Sequence, residues 1–327
     1  MTLQPVHSPA DVDLTVSPST RERIDDGWAA NTSRAYERNL RAFTAWCSAQ
    51  SRTALPATAQ TLAEYVEHLC AEGKAPSTVE QAVATIRAAH RLAGYANQPD
   101  TSAARLVLRS HRRERAGQGA RKRKAPPLVL DALRAMVDAT DPGTAAGARD
   151  RLLLVLGFAL MGRRSELAAL DLTDVTETEN GLLVQIRMSK TDQDAHGEEV
   201  AIPRGNHDDT DPVGLLRAWR ARLAEDGIES GRLLRSVDRH GRIGGGISPD
   251  GINRVVRAAA VRAKLPGAEK YTAHSLRAGG ATASYKAGAP VSVIARHGRW
   301  AENSPVVLGY IRAVDKWTDN PMRGVGL

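Results

Sequence analysis

The sequence predicts a mainly α chain with a small antiparallel β-sheet, built as an N-terminal helical bundle followed by an α+β domain. Three observations carry that expectation. Apolar residues recur at helix spacing from about residue 30 to 110. A basic, glycine-containing stretch ending in Pro126-Pro127 then breaks the pattern. Beyond it, a helix that is apolar nearly all round precedes two segments of strand alternation. A length of 327 residues accommodates two domains, and 42% apolar residues supply cores for both. The expected division is a disordered tail over 1–25, a helical domain over 26–116, a linker over 117–127 and the α+β domain over 128–327.

The tail is inferred from MTLQPVHSPADVDLTVSPST, which has neither the basic start nor the apolar centre of a signal peptide. Tyr36, Leu40, Phe43 and Cys47 mark the first long helix, and Leu62, Tyr65, Val66 and Leu69 the second, stopped at Gly73. Ser77 and Glu80 have capping-box spacing ahead of the stripe Val79, Val83, Ile86, which Gly94 closes. A fourth helix is predicted over Ser102–Arg115. Residues 101–124 then hold nine Arg or Lys and a single acid, Glu114. Such a run is usually a solvated surface. Between two domains of a basic chain, the favoured reading is a linker crossing a phosphate backbone, with Arg112, Arg113, Arg121, Lys122, Arg123 and Lys124 as the DNA-contact candidates.

In the second domain, RDRLLLVLGFALMG (149–162) predicts a buried core helix. GLLVQIRMSK (181–190) places Leu182, Val184, Ile186 and Met188 on one face and Gln185 and Arg187 on the other; with EEVAIP (198–203) it forms a hairpin. Asp211-Pro212 starts a helix carrying Leu215, Leu216, Trp219 and Leu223, and Ser248-Pro249 starts another with Ile252, Val255, Val256 and Ala259 inward. RHGRIGGG (239–246) reads as a flexible loop, and its glycines fit no nucleotide-phosphate cradle.

The formal charge of +8 favours a polyanionic partner, nucleic acid before an anionic membrane surface. No run approaches the ~18 apolar residues of a membrane span. Cys47 and Cys70 lack metal-ligand spacing and read as buried thiols of a reducing cytoplasm. Arginine far outnumbers lysine, and forked guanidinium groups suit phosphate. Against that background several residues stand out. Arg163 and Glu166 follow the core helix one turn apart, which could be no more than a surface ion pair. Lys190 lies in the hairpin, and His274 and Arg277 share one helix turn ahead of a run of small residues, Ala278–Ala283. Tyr310 sits in the short apolar helix of Val306, Val307, Leu308 and Ile311, where an amphipathic core residue is the ordinary reading.

The motifs RRSELAALDLTDV, the hairpin lysine, HSLR, HGRW and GYIR occur in the order found in tyrosine recombinases, the phage integrase family, and the chain most resembles its Cre type. The similarity spans roughly residues 30–315, although Trp300 to Tyr310 is ten positions where nine are usual. It implies a core-DNA-binding helical bundle and an α+β catalytic domain of the tyrosine recombinase type. It also implies that Tyr310 is the nucleophile, that Arg163, Arg277 and His274 surround the scissile phosphate, and that Lys190 protonates the leaving oxygen. Glu166 then supports the pocket. Trp300 fills its last position, with His297 as the alternative. The implied reaction cuts and rejoins strands through a 3′-phosphotyrosine and a Holliday junction, with no cofactor, metal or ATP. The implied partners are double-stranded DNA carrying a recombination site and three further copies of the chain. The segment after Tyr310 would dock on a neighbour through Trp317, or fold back on its own domain. Base reading is expected from the first domain and from the Ser248–Ala263 helix. A type IB topoisomerase and a non-enzymatic DNA-binding protein are the rival readings.

Overall fold

The computed structural model describes residues 17–27, 30–95, 97–120, 125–187, 197–301, 304–315, 322 and 325. The chain divides into two units, Met1–Lys122 and Arg123–Leu327. In the first, helices α1 (Pro18–Asp26), α2 (Ala30–Ala49), α3 (Ala59–Ala71), α4 (Pro76–Leu92) and α5 (Ser102–Gly117) follow one another. Most of α1 falls where a tail was expected. Its sequence PSTRERIDD carries one large apolar side chain, Ile24, so no periodicity signals it. Phe43, Cys47, Leu62, Tyr65, Val66, Val79, Ile86 and Leu108 form the core of the unit. Each large apolar side chain so buried contributes roughly 1.5–3 kcal/mol.

Helix starts follow local chemistry. The Thr58 hydroxyl accepts the Thr61 N–H at 3.1 Å and begins α3. The capping box expected at Ser77 is absent: the N-cap of α4 lies two residues earlier, at Ala75, which supplies no side-chain cap, and Pro76 opens the first turn. His90 is buried, donating from Nδ1 to the Ile86 carbonyl at 2.7 Å and accepting the Ala57 N–H at Nε2 at 2.8 Å. Those roles fix a neutral imidazole that ties α4 to the chain ahead of α3. Cys47 and Cys70 are buried free thiols.

The second unit holds α6 (Leu130–Asp138), α7 (Ala145–Ala159), α8 (Arg164–Ala169), strands β1 (Val175–Thr178), β2 (Gly181–Ile186) and β3 (Glu198–Pro203), then α9 (Pro212–Glu225), β4 (Arg235–Val237), β5 (Ile243–Gly246), α10 (Pro249–Arg262), α11 (Ala273–Lys286), α12 (Val291–His297) and α13 (Pro305–Asp315). The expected hairpin is β2–β3, paired Leu182 to Ile202 and Val184 to Val200, and β1 adds a third antiparallel strand. Part of the expected flexible loop at 239–246 is strand β5, paired with β4. Glycine obscures that strand because it gives no alternation to read.

Helix α7 is the centre of this unit, with Leu152, Leu153, Leu154 and Leu156 fully buried. It begins four residues before the expected start, where the Thr144 hydroxyl accepts the Gly147 N–H at 3.0 Å. Its other end stops short of Met161, whose φ of +48° turns the chain away. Helix α11 crosses beside it. A Cβ at Gly279 would lie 2.1 Å from the Leu128 carbonyl oxygen, and one at Gly280 would lie 2.3 Å from that of Phe158. The small-residue run after Arg277 is therefore what brings α11 against α7. No helix among the described residues is long and apolar enough to cross a membrane.

Candidate active site

The turn that ends α7 makes Arg163 the N-cap of α8 and Glu166 its third residue. The Glu166 carboxylate accepts the Arg163 backbone N–H at 2.8 Å and its Nη1 at 2.5 Å. Arg163 Nη2 donates to the Arg299 carbonyl at 2.9 Å. A surface ion pair is excluded, since Glu166 is 4% exposed. The carboxylate thus holds its arginine at both ends, backbone and guanidinium.

Helix α11 supplies His274 in its first turn and Arg277 one turn later. Arg277 is 3% exposed. Its Nη1 donates to the Met161 carbonyl and its Nη2 to that of Gly298 at 2.6 Å, while its guanidinium lies 3.8 Å from the centre of the Trp300 ring. Two backbone carbonyls and an aromatic face aim this cation without neutralising it. Helix α13 packs beside α11 through Val307, in a small cluster with Met161, Ala281 and Ile294. That packing brings the Tyr310 hydroxyl to 2.8 Å from His274 Nε2. The Trp300 and Tyr310 rings are 6.1 Å apart, edge to face. His297 turns elsewhere, donating from Nε2 to the Ala159 carbonyl at 2.8 Å.

Burial and crowding set the charges. Burial pushes the Glu166 carboxyl up, but Arg299, the Arg163 N–H and the Arg163 guanidinium outweigh it and hold it below the ordinary carboxylate range. Burial, then the neighbouring Arg163 charge, bring Arg277 down to about 9, so it remains a cation at neutral pH. His274 faces solvent, yet the protein beneath its ring and then the Arg277 charge lower its pKa below the usual histidine value. Burial raises the Tyr310 phenol, and Arg277 only partly opposes that. A neutral imidazole therefore sits within hydrogen-bond distance of a protonated phenol, beside arginines that carry one carboxylate between them. Among the described residues, no group of three His, Cys, Asp or Glu side chains could hold a metal ion.

Residues 128–316 match the phage integrase family, and residues 23–95 match the phage integrase N-terminal SAM-like domain. The chain belongs to the phage integrase family. Members are tyrosine recombinases, enzymes that cleave and rejoin DNA strands at specific sites. An integrase/recombinase xerD homolog of Selenomonas ruminantium is 29% identical over 94% of this chain and 89% of its own length. The recombinase cre of Escherichia phage P1 is 25% identical over 86% of this chain and 84% of its own. XerH site-specific recombinase, in a post-cleavage complex with its palindromic difH substrate, shares the fold at a TM-score of 0.59 and 15% identity, over 93% of this chain and 83% of that one.

Six of the seven residues singled out as this recombinase's pocket lie in one cluster: Arg163, Glu166, His274, Arg277, Trp300 and Tyr310. The seventh, Lys190, lies outside the described residues, as do Arg121, Lys122, Arg123, Lys124 and Trp317. Arg113 is exposed on α5, and Arg112, half exposed, pairs with Glu80 of α4. Sequence reasoning missed Arg299. It stands inside the HGRW motif but reads as a surface charge, and only its left-handed backbone, φ +58°, and 3% exposure single it out.

Proposed function

We propose that this recombinase breaks one DNA phosphodiester by attack of the Tyr310 oxygen on phosphorus, forming a phosphotyrosine bond to the 3′ side and releasing the 5′ oxygen. His274 takes the phenol proton as the bond forms, which its neutral imidazole is suited to do. Arg163 and Arg277 grip the nonbridging oxygens, where negative charge grows as phosphorus becomes five-coordinate. Lys190 delivers a proton to the departing 5′ oxygen, and Trp300 holds Arg277 edge-on to the phosphate. Attack by a 5′ hydroxyl of the partner duplex reverses the step, so the bond energy is retained and no nucleotide is needed. Exchanging strands between two duplexes calls for four such sites, hence a tetramer on DNA. The exposed arginines of α5 and the basic 121–124 stretch contact the phosphate backbone.

The observation that supports this reading most strongly is the 2.8 Å contact between the Tyr310 hydroxyl and His274 within one chain, next to two converging arginines. It favours a nucleophile that acts within its own subunit. Strand exchange between two labelled duplexes tests the reading: recombinant products are expected, whereas nicking and resealing of single duplexes alone would point to a topoisomerase.

A further inference from the structure

We infer that Arg299 is a positioning residue of the cleavage site: it neutralises Glu166, so that the charge of Arg163 stays available to the scissile phosphate, and it anchors Arg163 through its own carbonyl. This rests on the function proposed above. Arg299 occupies the left-handed corner between α12 and α13 (φ +58°). The corner turns its carbonyl toward Arg163 Nη2, 2.9 Å away. Its side chain runs back into the protein, where Nη2 donates to Glu166 Oε2 at 2.9 Å and to the Leu160 carbonyl at 3.3 Å, and Nη1 donates to the His297 carbonyl at 3.1 Å. The Arg299 and Glu166 side chains are 1% and 2% exposed. Glu166 therefore lies between two guanidinium groups, Arg163 on the open side and Arg299 beneath.

Charge counting shows what the second group does. Without Arg299, Arg163 and Glu166 would cancel, and Arg277 would be the one uncompensated guanidinium among the described residues of the pocket. With it, three guanidinium groups face one carboxylate. The surplus of two matches the dianionic five-coordinate phosphorane better than the singly charged phosphodiester, which is the difference that accelerates the step. A left-handed corner suits glycine without strain, whereas an arginine there bears a backbone cost. The side chain is thus held in place by what it contacts.

Arg299→Gly tests this, because it keeps the corner and the carbonyl while removing the side chain and its guanidinium. The substrates are nicked duplexes whose sequence comes from DNA recovered covalently with the wild-type chain, with either a phosphate or a neutral methylphosphonate at the scissile position. On phosphate, the variant is expected to form adduct about 10- to 100-fold more slowly, the size of effect seen when the support behind a charged ligand is removed at metal sites, with DNA binding retained. On methylphosphonate, whose transition state carries one charge less, the deficit relative to wild type is expected to shrink. Arg299→Lys should recover part of the rate. If the glycine variant does not fold, Arg299→Gln, uncharged in the same corner, is expected to show the same substrate-dependent deficit. Wild-type cleavage by the uncharged variant, or an equal loss on both substrates, would overturn the inference. A wild-type chain that captures no DNA would instead remove the cleavage reading itself.

Discussion

The second unit buries charge at both ends of α7, and the two ends differ in kind. Near its N-terminus, Arg149 forks onto Asp150 with Nε at 2.8 Å and Nη2 at 2.6 Å, and both side chains are 7% exposed. Arg262, half exposed on α10, adds a contact to the same carboxylate at 3.2 Å. Beyond the C-terminus, Arg163 and Arg299 hydrogen-bond Glu166 with Arg277 close by, and the three guanidinium groups also donate to carbonyls of Leu160, Met161, His297, Gly298 and Arg299. The first cluster is a buried Arg149–Asp150 pair whose one extra cation, Arg262, stays half exposed to solvent. The second keeps a positive surplus that no carboxylate other than Glu166 contacts among the described residues. Burial of charge alone does not mark a site, because a balanced pair can serve packing; an unbalanced one, aimed by backbone dipoles and adjoining a phenol, needs an anion from outside.

The largest expected effect isolates the phenol from the charges. Tyr310→Phe should bind DNA as the wild-type chain does, within about twofold, and yield no covalent adduct, because the nucleophile is gone while the cationic cluster is intact. Gel-shift and adduct assays on one nicked duplex read both quantities. Adduct formation by the variant would move the nucleophile elsewhere.

Next in size, Arg277→Lys keeps a positive charge but loses the fork held between Met161 and Gly298 and stacked on Trp300. Single-turnover cleavage should fall by about 10²–10³-fold, the effect of losing a preorganised donor to developing charge. Near-normal cleavage would mean that charge without geometry suffices, and the contrast between the two clusters would lose its meaning.

Asp150→Ala applies the same kind of lesion to the balanced cluster. It strands Arg149 and should lower stability by about 3–5 kcal/mol, read as an earlier urea unfolding midpoint, while the folded fraction cleaves DNA at an unchanged rate. Loss of cleavage without loss of stability would show that the two ends of α7 are one functional unit.

The smallest effect is a pH dependence. His274 has its pKa lowered by burial and by Arg277, so the neutral base is fully present above the ordinary histidine value of about 6.5. Cleavage should be nearly flat from pH 8 to 7 and decline only as pH falls through the lowered value. A decline centred above pH 7 would contradict a neutral imidazole as the base.

How much of this was legible in the sequence depends on range. Arg163, Glu166, His274, Arg277, Trp300 and Tyr310 stand in motifs whose order and local spacing are visible along the chain, and helices such as α3, α9 and α10 carry full apolar stripes. The elements that went unread include α1 with one large apolar residue, β1 with four residues and β5 with three glycines, and also β4, α12 and α6, the last of these despite its stripe of Leu133, Met136 and Val137. The strands among them depend on partners distant in sequence, as in the pairing of Val175 with Val184. The same reason hid the carbonyls that aim the two arginines. They belong to Met161, Gly298 and Arg299, and a main-chain oxygen has no residue-type signature. Left-handed corners at Met161 and Arg299 were equally invisible, because neither is the glycine that such a conformation usually attracts.

The central claim, that a phenol held by His274 attacks a phosphate gripped by Arg163 and Arg277, is tested most directly by peptide mapping of the covalent complex trapped on a nicked duplex. After nuclease and protease digestion, mass spectrometry should find one nucleotide-bearing peptide, containing SPVVLGYIR, with the 3′-phosphoryl group on Tyr310. A modified residue at any other position, Tyr285 or a serine included, would contradict it.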